Sequence, residues 1–158
     1  MNILIAYYSW EGHTKKIVEA LASKLNAPTE RIEPVKEYNM GMKAIKAFLG
    51  LKSNIKPCKI DLSEIDHLVV ATPVWTGRPT PYINKYLSLL TNTQDKTFSV
   101  LVEMSKSGAE NTTKKIQNEL EKKGMKFITS TVTIEDDVDA GKFDEAVSRL
   151  AESIKRLE

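Results

Sequence analysis

Three segments carry the residues whose types and spacing could do chemistry, and each follows a run with strand character. They are Ser9-Trp10-Glu11-Gly12-His13-Thr14, the stretch from Thr72 to Pro81 (TPVWTGRPTP), and the stretch from Glu103 to Glu110 (EMSKSGAE). The first leads straight into a segment with helical spacing. A helix start presents N–H groups without intrahelical acceptors and the positive end of the helix dipole, Gly12 lets the backbone approach closely, and Ser9 and Thr14 add hydroxyls. Such a loop suits a phosphate dianion. The same residue types also begin an ordinary capped helix, with Ser9 or Thr14 as the cap and His13 as a solvated loop residue, and this loop alone does not separate the two readings. In the second segment Trp75 stands at a loop tip where it can stack on a flat ring. Pro73, Pro79 and Pro81 restrict the chain around it, while Gly77 keeps one peptide able to adopt positive φ. The third segment, through Met104, Ser105 and Gly108, is small and polar and suits backbone donors, as many turns before helices do.

The elements that must position these loops alternate along the chain. Residues 3–8, 29–35, 67–72, 97–104 and 127–134 read as strands, and residues 14–25, 42–51, 81–90, 110–123 and 143–157 carry helical spacing. Alternation of this kind implies right-handed crossovers and a parallel sheet covered on both faces, and runs such as NILIAYY and HLVVATP suit strands buried on both sides. In an open sheet of this type ligands sit beyond the carboxyl ends of the strands, where the strand order reverses. That places all three loops at one edge.

No GxGxxG follows the first strand and no GxxxxGK[ST] occurs, which removes dinucleotide and P-loop readings. Receiver domains need an acid where strand three ends, and low-molecular-weight tyrosine phosphatases need a cysteine after strand one; those places hold Thr72 and Ser9. The spacing of Tyr7, Ser9, Gly12 and Thr14 resembles the flavodoxin signature, and Pro73-Val74-Trp75-Thr76-Gly77 resembles the second flavin loop of that family. The resemblance spans the whole chain. It implies a flavodoxin-like doubly wound three-layer sandwich, a single domain over residues 1–158, with a five-stranded parallel sheet of order 2-1-3-4-5. It also implies flavin mononucleotide (FMN) as cofactor. The residues that would hold it are Ser9, Trp10, Glu11, Gly12, His13 and Thr14 in the first loop, Pro73, Val74, Trp75, Thr76 and Gly77 in the second, and Met104, Ser105 and Gly108 in the third. In that family a peptide of the second loop flips when the flavin gains an electron, and Trp75-Thr76-Gly77 would perform this switch. Trp10 would cover the other flavin face or plug the start of the first helix.

Composition bounds the remaining classes. The 23 basic and 21 acidic residues give a net charge of +2, far from the excess expected of a nucleic-acid binder. Cys58 is the lone cysteine, so no internal disulfide and no CxxC pair exists, and a small packing residue is the expected role. No apolar run reaches membrane-spanning length, and a cytoplasmic location is expected. With two histidines, neither a metal cluster nor a Ser-His-Asp triad is anticipated. From Lys36 to Ile60 there are six lysines and one acid, and the expectation is a second helix that packs Met42, Ile45, Phe48 and Leu49 on the sheet with its lysines solvated; an acidic partner or a membrane surface is the other reading. The run Glu135-Asp136-Asp137-Val138-Asp139 reads as cap and dipole chemistry before the last helix, with docking of a basic partner as the alternative.

Function divides three ways. The first is an electron carrier working between redox partner proteins. The second is an NAD(P)H-dependent reductase of flavins, quinones or another small-molecule acceptor, with Arg78 suited to nicotinamide phosphates. The third, a flavin-free interaction module, leaves the first two loops without a purpose. Typical flavodoxins are strongly acidic, whereas this chain has a pI of about 8.5. Either a monomer or a homodimer is compatible with the sequence.

Overall fold

A computed structural model describes residues 1–36 and 39–157. The five strands β1 (Ile3–Tyr7), β2 (Thr29–Arg31), β3 (His67–Pro73), β4 (Thr97–Met104) and β5 (Lys126–Ile134) form one sheet of order β2-β1-β3-β4-β5. Every neighbouring pair is parallel. This is the predicted order. The helices are α1 (His13–Leu25), α2 (Met40–Phe48), α3 (Pro81–Leu89), α4 (Ala109–Glu121), α5 (Glu135–Asp139) and α6 (Asp144–Lys155).

Strand alternation sorts the core onto two faces. Ile3, Ile5, Tyr7, Val69, Ala71 and Leu101 pack with Ile17, Val18 and Leu21 of α1 and Val147, Leu150 and Ile154 of α6. On the opposite face Leu4, Ala6, Tyr8, Leu68, Val70, Phe98, Val100 and Val102 pack with Tyr82, Ile83 and Tyr86 of α3 and Ile116 and Leu120 of α4. Helices therefore cover both sides.

Three expectations need correction. Strand β2 has three residues rather than seven, because it is an edge strand and Pro34, which has no N–H, cannot continue a parallel ladder; residues 33–35 instead pair antiparallel with 54–56. The acidic run is not only a prelude to the last helix but forms α5, with Glu135, Asp136 and Asp137 in its first turn, where they complement the dipole. The third correction concerns α2, whose apolar side faces outward. Ile45, Phe48 and Leu49 are more than half exposed, Met42 is 43% exposed, and Lys43 is 1% exposed. The short edge strand before α2 offers little sheet to cover, and what the helix turns inward is a lysine. Glu37, the acid of that stretch, lies outside the described residues.

Candidate functional site

The loops after β1, β3 and β4 converge at the carboxyl edge of the sheet, where β1 and β3 lie side by side while the chain departs from them in opposite directions. Between them lies a cleft of about 130 Å³, lined by Ser9, Trp10, Glu11, His13, Thr14, Pro73, Val74, Trp75, Glu103, Ser105 and Glu135. Nine of these are residues singled out from the sequence. Gly12, Thr76, Gly77, Met104 and Gly108 are not in its lining. Glu103 and Glu135 are in it, and sequence reasoning missed both.

The first loop turns into α1 through Gly12, whose φ of 103° lies in the left-handed region that favours glycine. A Cβ built there would meet nothing within 4 Å, so open space lies beside the loop. Ser9 Oγ accepts the Lys15 amide of the first turn at 3.2 Å, although the N-cap position itself is Gly12 rather than Ser9 or Thr14. The Thr14 hydroxyl donates to Glu103 Oε2 at 3.3 Å. His13 opens the helix rather than standing free in solvent: its Nε2 lies 3.0 Å from Asp139 Oδ1 and its Nδ1 3.8 Å from Glu135 Oε1, so the imidazole ties α1 to α5. Glu11, His13 and Glu135 bring one ligand-type atom each to within 4.8 Å of one another.

Glu103 is the last buried residue of β4 and points to the α1 side, beneath the phosphate-type loop. Burial pushes its carboxyl above the usual range; nearby His13 and the Thr14 hydroxyl pull it back, and Glu135 and Glu11 add to the rise. The N-terminus of α1 thus looks onto a carboxyl that resists ionisation.

The second loop is a tight antiparallel turn. Trp75 and Arg78 exchange backbone hydrogen bonds of 3.0 Å in both directions, and Thr76 and Gly77 take φ values of 50° and 71°. Gly77 O accepts Asn111 Nδ2 of α4 at 2.5 Å. Gly108, at the start of α4, is pressed against this turn: a Cβ there would stand 2.7 Å from Gly77 Cα and 2.9 Å from Val74 Cγ1. Gly108 therefore locks loops two and three together rather than lining the cleft. Trp75 is half-buried, held edge-on by Tyr8 at a centroid distance of 5.5 Å and by Tyr82 of α3 at 6.2 Å. Trp10 is 40% exposed on the other side of the cleft.

Between the two indoles stands Lys43. Its Nζ is 2.8 Å from the Trp10 ring centroid and 5.6 Å from that of Trp75. Attraction to the indole faces offsets part of the cost of burying the ammonium. No feature of the sequence pointed to it, since a lysine among helical lysines reads as solvated.

No family model matches the chain, and no curated protein matches its sequence. Solved structures do match its fold. A flavoprotein from Lactobacillus acidophilus, solved in complex with FMN, superposes with a TM-score of 0.71 at 22% identity over 88% of this chain and 97% of that one. Oxidised flavodoxin 2 from Bacillus cereus gives 0.64 at 17% identity, with both chains covered completely. A WrbA-like flavodoxin from Agrobacterium tumefaciens gives 0.65 at 16% identity, over 96% of this chain and 97% of that one. With its 2-1-3-4-5 parallel sheet covered by helices on both faces, the chain has the flavodoxin-like fold.

Proposed function

We propose that this protein binds FMN in the cleft after β1 and β3 and passes electrons between redox partners through the flavin. The observation that carries the reading is the pairing of two features at one sheet edge: the N-terminus of α1, entered through Gly12 with open space beside it, and two indoles, Trp10 and Trp75, that face one slot. The first suits a phosphate and the second a flat ring. Two neighbours of this fold are named as flavodoxins and one was solved with FMN, which supports the same reading.

The residues fit this group on two conditions. The slot is filled by the Lys43 ammonium, so an incoming ring takes its place against Trp10. The cradle is bordered by the carboxyls of Glu11, Glu103 and Glu135, so the N-terminus of α1 has to hold a phosphate against them. When bound, FMN supplies the electron-transfer chemistry. The chain supplies position and field. Ser9 fixes the start of α1, Gly12 exposes the backbone, and Tyr8 and Tyr82 hold the Trp75 ring upright. The turn from Trp75 to Arg78 carries the Thr76–Gly77 peptide just outside the cleft lining, with Asn111 restraining the Gly77 carbonyl. Lys43 is the one buried lysine or arginine among the described residues, and it favours negative charge on the ring.

An absorption spectrum of the purified protein after removal of excess FMN tests the assignment. Bound-flavin bands, and reduction by dithionite but not by NADPH, are the expected result; a colourless protein whose spectrum added FMN does not change overturns it. A second reading, an NAD(P)H-dependent reductase, is favoured by Arg78, which has no carboxylate within ion-pair distance among the described residues. Rapid bleaching by NADPH identifies that case.

A further inference from the structure

Behind the Trp75–Arg78 turn, on the α3–α4 side, lies a second cavity of about 450 Å³. Four cations line it: Lys52 from the segment after α2, Arg78 from the turn, and Lys115 and Lys122 from α4. Glu119 is the single acid in the lining, and Lys122 already engages it at 3.1 Å. Lys52, Arg78 and Lys115 have no carboxylate partner among the described residues. Three like charges therefore border one cavity without compensation, in a chain whose net charge is only +2. Charge of one sign gathered in a concave site concentrates the opposite ion.

The shape is specific as well. The volume falls within the range of about 300–1,000 Å³ usual for small-ligand pockets. Gly50, with φ of 65°, has no side chain where one would stand 3.2 Å from Arg78 Nη1, which leaves room for the guanidinium along the cavity wall. A guanidinium offers a planar fork that matches two phosphate oxygens, while Lys52 and Lys115 add point charges to the same lining. Asn84 and Asn118 add amide groups able to hydrogen-bond a polar, uncharged portion of the same ligand.

We propose that this cavity binds the phosphates of a small polyphosphate ligand, of the kind carried by nucleotides and by pyrophosphate. The anion would lie between Arg78 and Lys115. Because Arg78 and Trp75 close the turn by reciprocal backbone hydrogen bonds, a ligand on the guanidinium also bears on the residue that anchors the aromatic slot. The anion site stands on its own cations; its connection to electron delivery rests on the FMN reading above.

Isothermal titration of the FMN-saturated protein with ADP, and separately with sodium pyrophosphate, tests the assignment. One ADP per chain is expected, with affinity reduced about tenfold in Arg78→Gln and in Lys115→Gln, the scale of a lost hydrogen bond to a charged group. The exposed Lys142→Gln is expected to stay within about twofold. Pyrophosphate is expected to displace ADP: equal affinity assigns the cavity to phosphate alone, and tighter ADP assigns it to a nucleotide. The absence of saturable heat with either probe overturns the proposal, as does an equal loss in Lys142→Gln. The same titrations on FMN-free protein decide the matter through the Arg78 and Lys115 variants even where FMN does not bind, so failure of this site and failure of the flavin reading are separable.

Discussion

Helices α1 and α2 start from similar sequences and end in opposite arrangements. Both carry apolar residues at helical spacing with lysines between them. In α1 the apolar stripe is buried completely, with Ile17, Val18 and Leu21 at 0% exposure. In α2 the stripe looks outward, with Phe48 at 64% and Leu49 at 58%, and Lys43 is the residue turned inward. The difference lies in what precedes each helix. The first follows β1, an interior strand that exposes a full apolar face to the helix returning over it. The second follows β2, three residues at the sheet edge, and has α3 and the loop aromatics as neighbours instead. Periodicity defines a stripe; the surface available decides whether that stripe is the side that gets buried.

The largest expected effect separates the two helices directly. Ile17→Ala removes packing from a site with no solvent access and is expected to cost about 3 kcal/mol, whereas Phe48→Ser on α2 is expected to stay within about 0.5 kcal/mol, both read from urea denaturation. A large loss in the Phe48 variant would break the comparison, because it would mean that the outward face of α2 is covered in solution.

Acid probes the sheet that α1 packs on. His67, fully buried at the start of β3 with Nδ1 2.8 Å from Thr97 Oγ1, is held neutral by burial, its pKa lowered from 6.5 to about 4. The unfolded chain binds this proton at the higher pH, so the contribution is intact above 6.5 and is lost as pH falls toward 4. A shift of that size corresponds to about 3 kcal/mol. His67→Gln is expected to flatten the pH dependence of stability between 6.5 and 4; a slope equal to that of the natural protein would assign the acid sensitivity elsewhere.

Much of this arrangement was legible in the sequence. Alternating strand and helix patterns implied a parallel sheet covered on both faces, the flavodoxin resemblance implied its order, and the SWEGHT and TPVWTG segments do meet in one cleft, since both follow adjacent parallel strands. Glu103 carried a usable signal: an acid near the end of the otherwise apolar run FSVLVEM, two positions from Leu101, must share the α1 face. Lys43 carried none, because its burial depends on how little sheet β2 leaves for α2 and on two tryptophans distant in sequence. Glu135 reaches the cleft only because the acidic run folds as a helix of its own.

Lys43 gives the functional counterpart of the comparison. Were FMN to occupy the slot, the Lys43 ammonium beside Trp10 and Trp75 would favour negative charge on the ring. Lys43→Met is therefore expected to shift the ratio of reduced to oxidised FMN affinity by about tenfold, which for a two-electron couple lowers the potential by about 30 mV. Lys43→Arg is expected to restore most of it. An unchanged potential in Lys43→Met would show that the ammonium leaves the slot when a ring enters, and α2 would then be a surface helix with no part in tuning.

The smallest effect concerns the acid on the α1 side of the same cleft. Because burial raises the Glu103 carboxyl above the usual range, folding is penalised where the unfolded chain would ionise it, above about pH 4.5, and the penalty is absent below that value. Glu103→Gln keeps a group able to hydrogen-bond Thr14 and is expected to stabilise the protein by about 1 kcal/mol at pH 7, with the gain vanishing in acid. It also removes a negative charge from beneath the first loop. FMN affinity at neutral pH should then rise while riboflavin, which lacks the phosphate, is unaffected. Equal changes for both ligands would place Glu103 near the ring instead of the phosphate, and would move the cradle away from the N-terminus of α1.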